Sequence, residues 1–142
     1  MATPSNKISL PANLQFFLVD DQEQVLTKMR ADLISAGFPS NQIATSLDIP
    51  NAIAITQNRV FDVILCDYNL GDRNGFELLK SVKSDPKNVK TAFIMVTAMN
   101  DVSFMLEAIK LGAHQYIVKP WEKSELFRKI SSAIEMCEKR KA

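Results

Sequence analysis

A small set of polar residues stands where apolar runs stop. Asp20 and Asp21 follow Leu14-Gln15-Phe16-Phe17-Leu18-Val19, and Asp67 follows Val63-Ile64-Leu65-Cys66. Thr97 follows Ala92-Phe93-Ile94-Met95-Val96, and Lys119 follows Gln115-Tyr116-Ile117-Val118. Short apolar runs rich in β-branched and aromatic residues read as strands buried on both faces, as in a parallel sheet. The carboxyl ends of parallel strands share one edge, and open α/β sheets place their ligands there. The polar residues therefore converge on one crevice. Three carboxylates packed together repel one another, and a hard divalent cation relieves that conflict. Mg²⁺ suits the role: it takes oxygen ligands, needs few carboxylates and keeps waters that phosphate oxygens can replace. Lys119 adds a mobile point charge for an anion, and Thr97 adds a hydroxyl donor. Together these groups make a site for a phosphoryl group, whose transfer is mostly positioning and charge neutralisation. A carboxylate in such a site can itself be the nucleophile and form an aspartyl phosphate. Asp67, alone at the end of the central strand, is the best placed.

The elements that must hold these residues are legible in the alternation of periods. After Asp21, Val25, Met29, Leu33 and Ala36 recur at helical spacing with Leu26 alongside, and Gly37 stops the helix. Ile43-Ala44-Thr45-Ser46 reads as a short strand, and Asp48 with Pro50 suits a helix start that carries Ala52, Ile53, Ala54 and Ile55. Phe76, Leu78, Leu79 and Val82 predict a third helix, and Val102, Met105, Ala108 and Ile109 the face of a fourth, closed by Leu111-Gly112. Leu126, Ile130, Ala133, Ile134 and Cys137 predict the last, whose Lys139-Arg140-Lys141 end complements the helix dipole and reads as a solvated terminus. Five strands alternating with five helices demand a parallel sheet with helices on both faces. The expected fold is a single doubly wound α/β domain, flavodoxin-like, with strand order 2-1-3-4-5. Residues 1–12, with two prolines and several small polar residues, predict a flexible leader, which leaves 13–140 as the domain.

Composition agrees with such a domain. The chain of 142 residues is 46% hydrophobic and 23% charged, long enough for a core without metal or disulfide staples. A net charge of +1 gives no reason to expect direct nucleic-acid binding. No apolar run approaches the roughly 20 residues of a membrane span, and the N-terminus lacks a signal peptide's apolar core. Cys66 and Cys137 form no C-x-x-C pair, and Cys66 reads as an inert core residue; a reduced, cytoplasmic setting is expected.

The acidic pair Asp20-Asp21, the strand end at Asp67, Val96-Thr97-Ala98 and Tyr116-Ile117-Val118-Lys119-Pro120 together resemble a response-regulator receiver domain of two-component signalling. The spacings 97 − 67 = 30 and 119 − 97 = 22 fit that family, and the likeness spans residues 13–138. The resemblance implies that Asp67 accepts a phosphoryl group from a phosphohistidine on a sensor histidine kinase or a histidine phosphotransfer protein. It implies Mg²⁺ held by Asp21, Asp67 and the backbone carbonyl of Asn69, with Asp20 acting through a metal-bound water. Lys119 would pair with the phosphoryl oxygens, Thr97 would move toward them, and Tyr116 would swing inward behind it. The Lys119-Pro120 bond is implied to be cis. The protein would be a signalling switch rather than an enzyme, whose only chemistry is its own phosphorylation and dephosphorylation.

The sequence also departs from the family pattern. Gly71 stands where many members carry proline, and Asn74-Gly75 replaces Asp-Gly, so a more mobile Asp67 loop is expected. Asn69 and Met99 flank the phosphoryl position. His114 reads as structural or exposed. Trp121 fits two readings, a core-edge packing residue or part of the output surface. That surface, on the fourth helix, fifth strand and fifth helix, would include Phe104, Glu107, Lys110, Gln115 and Glu122 and could mediate a homodimer. The output would be a separate protein or a fused domain. Two other classes share the features: a small-molecule phosphohydrolase resembling the haloacid dehalogenases, which wants a second Asp where Asn69 stands, and a binding module that takes up no phosphoryl group.

Overall fold

A strand central in a parallel sheet must be apolar on both faces, and Phe16–Val19 (β1) and Val63–Cys66 (β3) are buried at every position. Ala92–Thr97 (β6) is likewise buried throughout. The outer strands Ile43–Ser46 (β2) and Gln115–Val118 (β7) are buried only in part, as their edge positions require. The structure, a computed structural model, describes residues 10–141. The leader expected over 1–12 falls mostly outside the described residues.

The five strands pair in the parallel order β2-β1-β3-β6-β7. This is the expected 2-1-3-4-5 order, because two short strands, Asn69–Leu70 (β4) and Arg73–Asn74 (β5), form a separate antiparallel ladder between β3 and β6. Helices Glu23–Ser35 (α1), Ile49–Asn58 (α2), Gly75–Lys83 (α3), Val102–Lys110 (α4) and Lys123–Lys141 (α5) complete the fold. Alternate strand residues feed two cores. Phe16, Leu18, Val63, Leu65 and Ile94 pack with α1 and α5, and Phe17, Val19, Ile64, Phe93 and Met95 pack with α2, α3 and α4.

Local chemistry sets the element ends. The Asp48 carboxylate accepts from the Asn51 N–H at 2.8 Å, with Pro50 in the first turn, as expected of a helix start. Asn74 caps α3 in a full capping box with Glu77. Some expectations about helix faces fail. Val102 is 67% exposed rather than inward, because the apolar face of α4 is carried by Phe104, Met105, Ala108 and Ile109. In α2 the buried positions are Ile49, Ala52 and Thr56, the Thr56 hydroxyl satisfied by the Ala52 carbonyl at 3.1 Å, while Ala54 faces out. Ala36 is also exposed. Helix-period counting reads the stripe correctly and its margins poorly.

Candidate functional site

The polar residues at the carboxyl ends of β1, β3, β6 and β7 meet on one edge. Parallel register puts them level: Val19 pairs with Cys66, Cys66 with Met95, and Thr97 with Val118. Asp20, Asp67 and Thr97 are buried, and Asp21 is exposed at the rim. Oxygens of Asp20, Asp21 and Asp67 all lie within 4.8 Å of one another.

Lys119 closes the site. Its Nζ donates to Asp20 Oδ2 at 2.7 Å and to Asp67 Oδ2 at 3.2 Å. The remaining oxygens meet backbone donors: Asp20 Oδ1 accepts from the Gln22 N–H at 2.9 Å, and Asp67 Oδ1 from the Tyr68 N–H at 2.7 Å. Burial pushes the Asp20 carboxyl above its ordinary value, and the hydrogen bonds from Lys119 and Gln22 offset this only in part. Burial opposes the charge on Lys119 too. There the hydrogen bond to Asp20 and the charges of Asp67 and Asp20 prevail and raise its pKa. The result is one ammonium between two carboxylates, with a third carboxylate at the rim. This oxygen-rich donor set, partly open to water, fits a hard divalent cation.

Behind the site, the Thr97 hydroxyl lies 3.5 Å from the Met99 N–H, and the Tyr116 hydroxyl donates to the Met99 carbonyl. Tyr116 is 7% exposed and its ring meets Phe104 edge-on at 5.9 Å. Phe104 in turn touches Tyr68 and Phe76 at ring distances of 4.5 Å and 5.2 Å. Phe104, expected on the outer surface, is thus half-buried in an aromatic cluster beside Asp67. The exposed apolar residues of α4 are Val102 and Leu106 instead.

The Asp67 loop holds an element that the sequence pattern does not predict. The ladder of β4 and β5 gives it structure, with Gly71 at φ 73° in the two-residue turn. The Gly75 N–H donates to the Tyr68 carbonyl at 2.8 Å, and Arg73 forks onto Glu77. Asn69, exposed, lies in β4 two residues past Asp67. The sequence signal for this turn was present in Gly71-Asp72, a two-residue loop that opens with Gly.

Other residues settle into structural places. His114 is 1% exposed, and its Nδ1 accepts from the Phe93 N–H at 3.0 Å, locking the start of β7 to β6. Cys66 is fully buried, and burial followed by the Asp67 charge raises its thiol well above the ordinary value. Trp121 packs into the core against α1 rather than on the output surface. The Lys119-Pro120 bond is cis.

Sheet order, helices on both faces and an acidic strand-end site faced by a lysine define a flavodoxin-like α/β domain of the chemotaxis-regulator kind. Residues 16–131 match the response regulator receiver domain, and the chain belongs to that family. It is therefore a receiver domain of two-component signalling. It is 31% identical over 112 residues to the alginate biosynthesis transcriptional regulatory protein AlgB of Pseudomonas aeruginosa, covering 79% of this chain and 24% of that protein. It is 28% identical over 121 residues to the transcriptional regulatory protein ZraR of Salmonella typhimurium, covering 85% of this chain and 26% of that protein. The chain thus spans about a quarter of the length of these relatives. Chemotaxis response regulator CheY4 of Vibrio cholerae superposes with a TM-score of 0.76 at 27% identity, over 84% of this chain and 98% of that one. Among the described residues, no helix is long and apolar enough to cross a membrane.

Proposed function

We propose that Asp67 is the phosphoacceptor of this receiver and that Lys119, Thr97 and Tyr116 read its state. The observation that carries this is the placement of Lys119 Nζ against both Asp67 and Asp20. An ammonium held there meets the charge of an incoming phosphoryl group without reorganisation. The phosphorus–nitrogen bond of a phosphohistidine breaks as a carboxylate oxygen of Asp67 bonds to phosphorus, and the imidazole leaves with the electron pair. Asp20, Asp21, Asp67 and the Asn69 backbone carbonyl would hold Mg²⁺, which when bound neutralises the developing charge. Lys119 holds the phosphoryl oxygens, and the Thr97 hydroxyl donates to them. Tyr116, hydrogen-bonded to the β6–α4 connection, transmits that shift to α4, β7 and α5.

The phosphoryl donor is a sensor histidine kinase or a histidine phosphotransfer protein, and the setting is cytoplasmic. The output is a partner protein or a fused domain reached through the α4–β7–α5 surface, which also offers a homodimer contact. The protein turns over no external substrate. Residues 13–140 form the receiver and 1–12 a leader. The test is intact mass after incubation with acetyl phosphate, with and without Mg²⁺, on wild type and Asp67→Asn. One adduct that needs both Mg²⁺ and Asp67 supports the reading. An adduct that survives Asp67→Asn, or forms equally without metal, refutes it.

A further inference from the structure

The connection from β7 to α5, which carries Lys119, is tied to α1 by contacts that the phosphoryl site does not use. Trp121, two residues beyond Lys119, is 6% exposed, and its Nε1–H donates to Asp32 Oδ2 at 2.9 Å. Lys28 Nζ lies 4.4 Å from the Trp121 ring centroid, 3.2 Å from the same Asp32 oxygen and 3.4 Å from the Trp121 carbonyl oxygen. Lys123 Nζ adds a bond to Ser35 Oγ at 3.2 Å. The partners Lys28, Asp32 and Ser35 all belong to α1, the helix that starts directly after Asp20 and Asp21. One rigid element therefore carries the acidic pair at its beginning and anchors the lysine's loop further along.

The residue types say more than packing would need. A core-edge position asks only for apolar bulk, which a phenylalanine supplies. An indole N–H bonded to a carboxylate adds direction, and a charge-assisted bond of this kind is stronger than a neutral one. The Lys28 ammonium balances the charge of Asp32 and covers the ring face. A lysine side chain is long and flexible, so where its ammonium arrives depends on where its backbone is held.

We propose that Trp121, together with Asp32 and Lys28, is a positioning device that fixes the backbone at Lys119 and so delivers its ammonium to Asp67. This rests on the reading of Asp67 as phosphoacceptor. Slack in the loop would leave Lys119 to be ordered only when the phosphoryl group arrives, and a misplacement of about 1 Å costs up to about a hundredfold in rate.

The test uses Trp121→Phe, which keeps the ring and removes the N–H, Asp32→Ala, which removes the acceptor, and Asp32→Asn, which keeps one. With ¹³C-labelled lysine, the Lys119 side-chain signal of the metal-free protein should move toward that of a freely rotating lysine in Trp121→Phe and Asp32→Ala. Asp32→Asn, which keeps the acceptor without its charge, should shift it less than Asp32→Ala does. Phosphoryl uptake from acetyl phosphate should fall about tenfold in the first two variants, while Mg²⁺ affinity does not fall, because the Lys119 ammonium is no metal ligand and competes with the metal for Asp20 and Asp67. An unchanged lysine signal overturns the proposal, as does uptake at the wild-type rate or uptake that falls in step with Mg²⁺ affinity. A wild type that takes up no phosphoryl group refutes the role of Asp67 alone, and the lysine signal then decides the latch by itself.

Discussion

The hydroxyl of Tyr116 donates to the backbone carbonyl of Met99 at 2.5 Å. One aromatic side chain of β7 thus grips the connection between β6 and α4, two residues past Thr97. Its ring is enclosed by Phe104 on one side and sits behind the site on the other. The hydroxyl thus ties β7 to the segment that follows Thr97.

That enclosure has a consequence at high pH. Burial, then the negative charges of Asp67 and Asp101, push the Tyr116 phenol from its ordinary 10.0 up to about 12. A group whose folded pKa exceeds its unfolded one stabilises fully below the unfolded value and loses that contribution as pH rises through the folded value. Tyr116 therefore weakens the fold between pH 10 and about 12. Tyrosinate absorbance should show a late step near 12 that vanishes in Tyr116→Phe. A titration complete by pH 11 would contradict this.

Asp20 gives the opposite kind of test at low pH. Its folded pKa lies above 3.8, chiefly through burial, so its contribution to stability is greatest below 3.8 and is lost as pH rises through the folded value. Asp20→Asn removes that loss. It should raise the metal-free melting temperature at neutral pH by about 2–4 °C, the effect of about 1 kcal/mol in a domain of this size. It should also shrink the further rise on adding Mg²⁺, which stabilises only what binds it. Calorimetry with chelator and with Mg²⁺ reads both, and a lower metal-free melting temperature would sink the assignment of burial as the dominant cause.

Removing the lysine should do the reverse. Lys119→Met leaves Asp20, fully buried, and Asp67 without the ammonium that both share. Stripping one partner from a buried pair destabilises by about 3–5 kcal/mol, and the 16% exposure of the Lys119 side chain reduces this to about 2. The deficit should be largest at neutral pH and shrink in acid, because Asp20 can then take up a proton. Urea unfolding across pH 4 to 7 would show this convergence, and a deficit independent of pH would argue against the shared pairing.

How far the sequence carried depended on whether a feature was periodic or positional. The apolar runs gave the strands of the main sheet and its order, and the polar residues that end them gave Asp20, Asp67, Thr97 and Lys119 their shared edge. The bond between Trp121 and Asp32 spans 89 residues and has no local signature. Strands β4 and β5 were missed because two-residue strands built from Asn69, Leu70, Arg73 and Asn74 show no alternation to count. Gly71 has a second role that its spacing from Asp67 does not reveal: its positive φ closes a turn within the Asp67 loop.

Gly75 makes the sharpest prediction about that loop. Its N–H donates to the Tyr68 carbonyl, and a Cβ placed on it would collide with the backbone carbonyl oxygen of Asp67 and lie 3.1 Å from Met95 Cε. The methionine end can move, but the carbonyl belongs to Asp67, the proposed phosphoacceptor, at the end of a fully buried strand. Gly71 is a different case: its φ of 73° strains any L side chain, yet nothing lies within 4 Å of its Cβ position. Gly75→Ala should therefore cost about 2 kcal/mol or more, as overpacking against fixed backbone does, and should depress phosphoryl uptake as well. Gly71→Ala should cost about 1 kcal/mol, a conformational penalty alone, and leave uptake nearly intact. Chemical denaturation and intact mass on the two variants separate close approach from backbone strain. If Gly71→Ala proved the more damaging, the turn would be what holds the Asp67 loop, and the contact with Asp67 would be yielding rather than fixed.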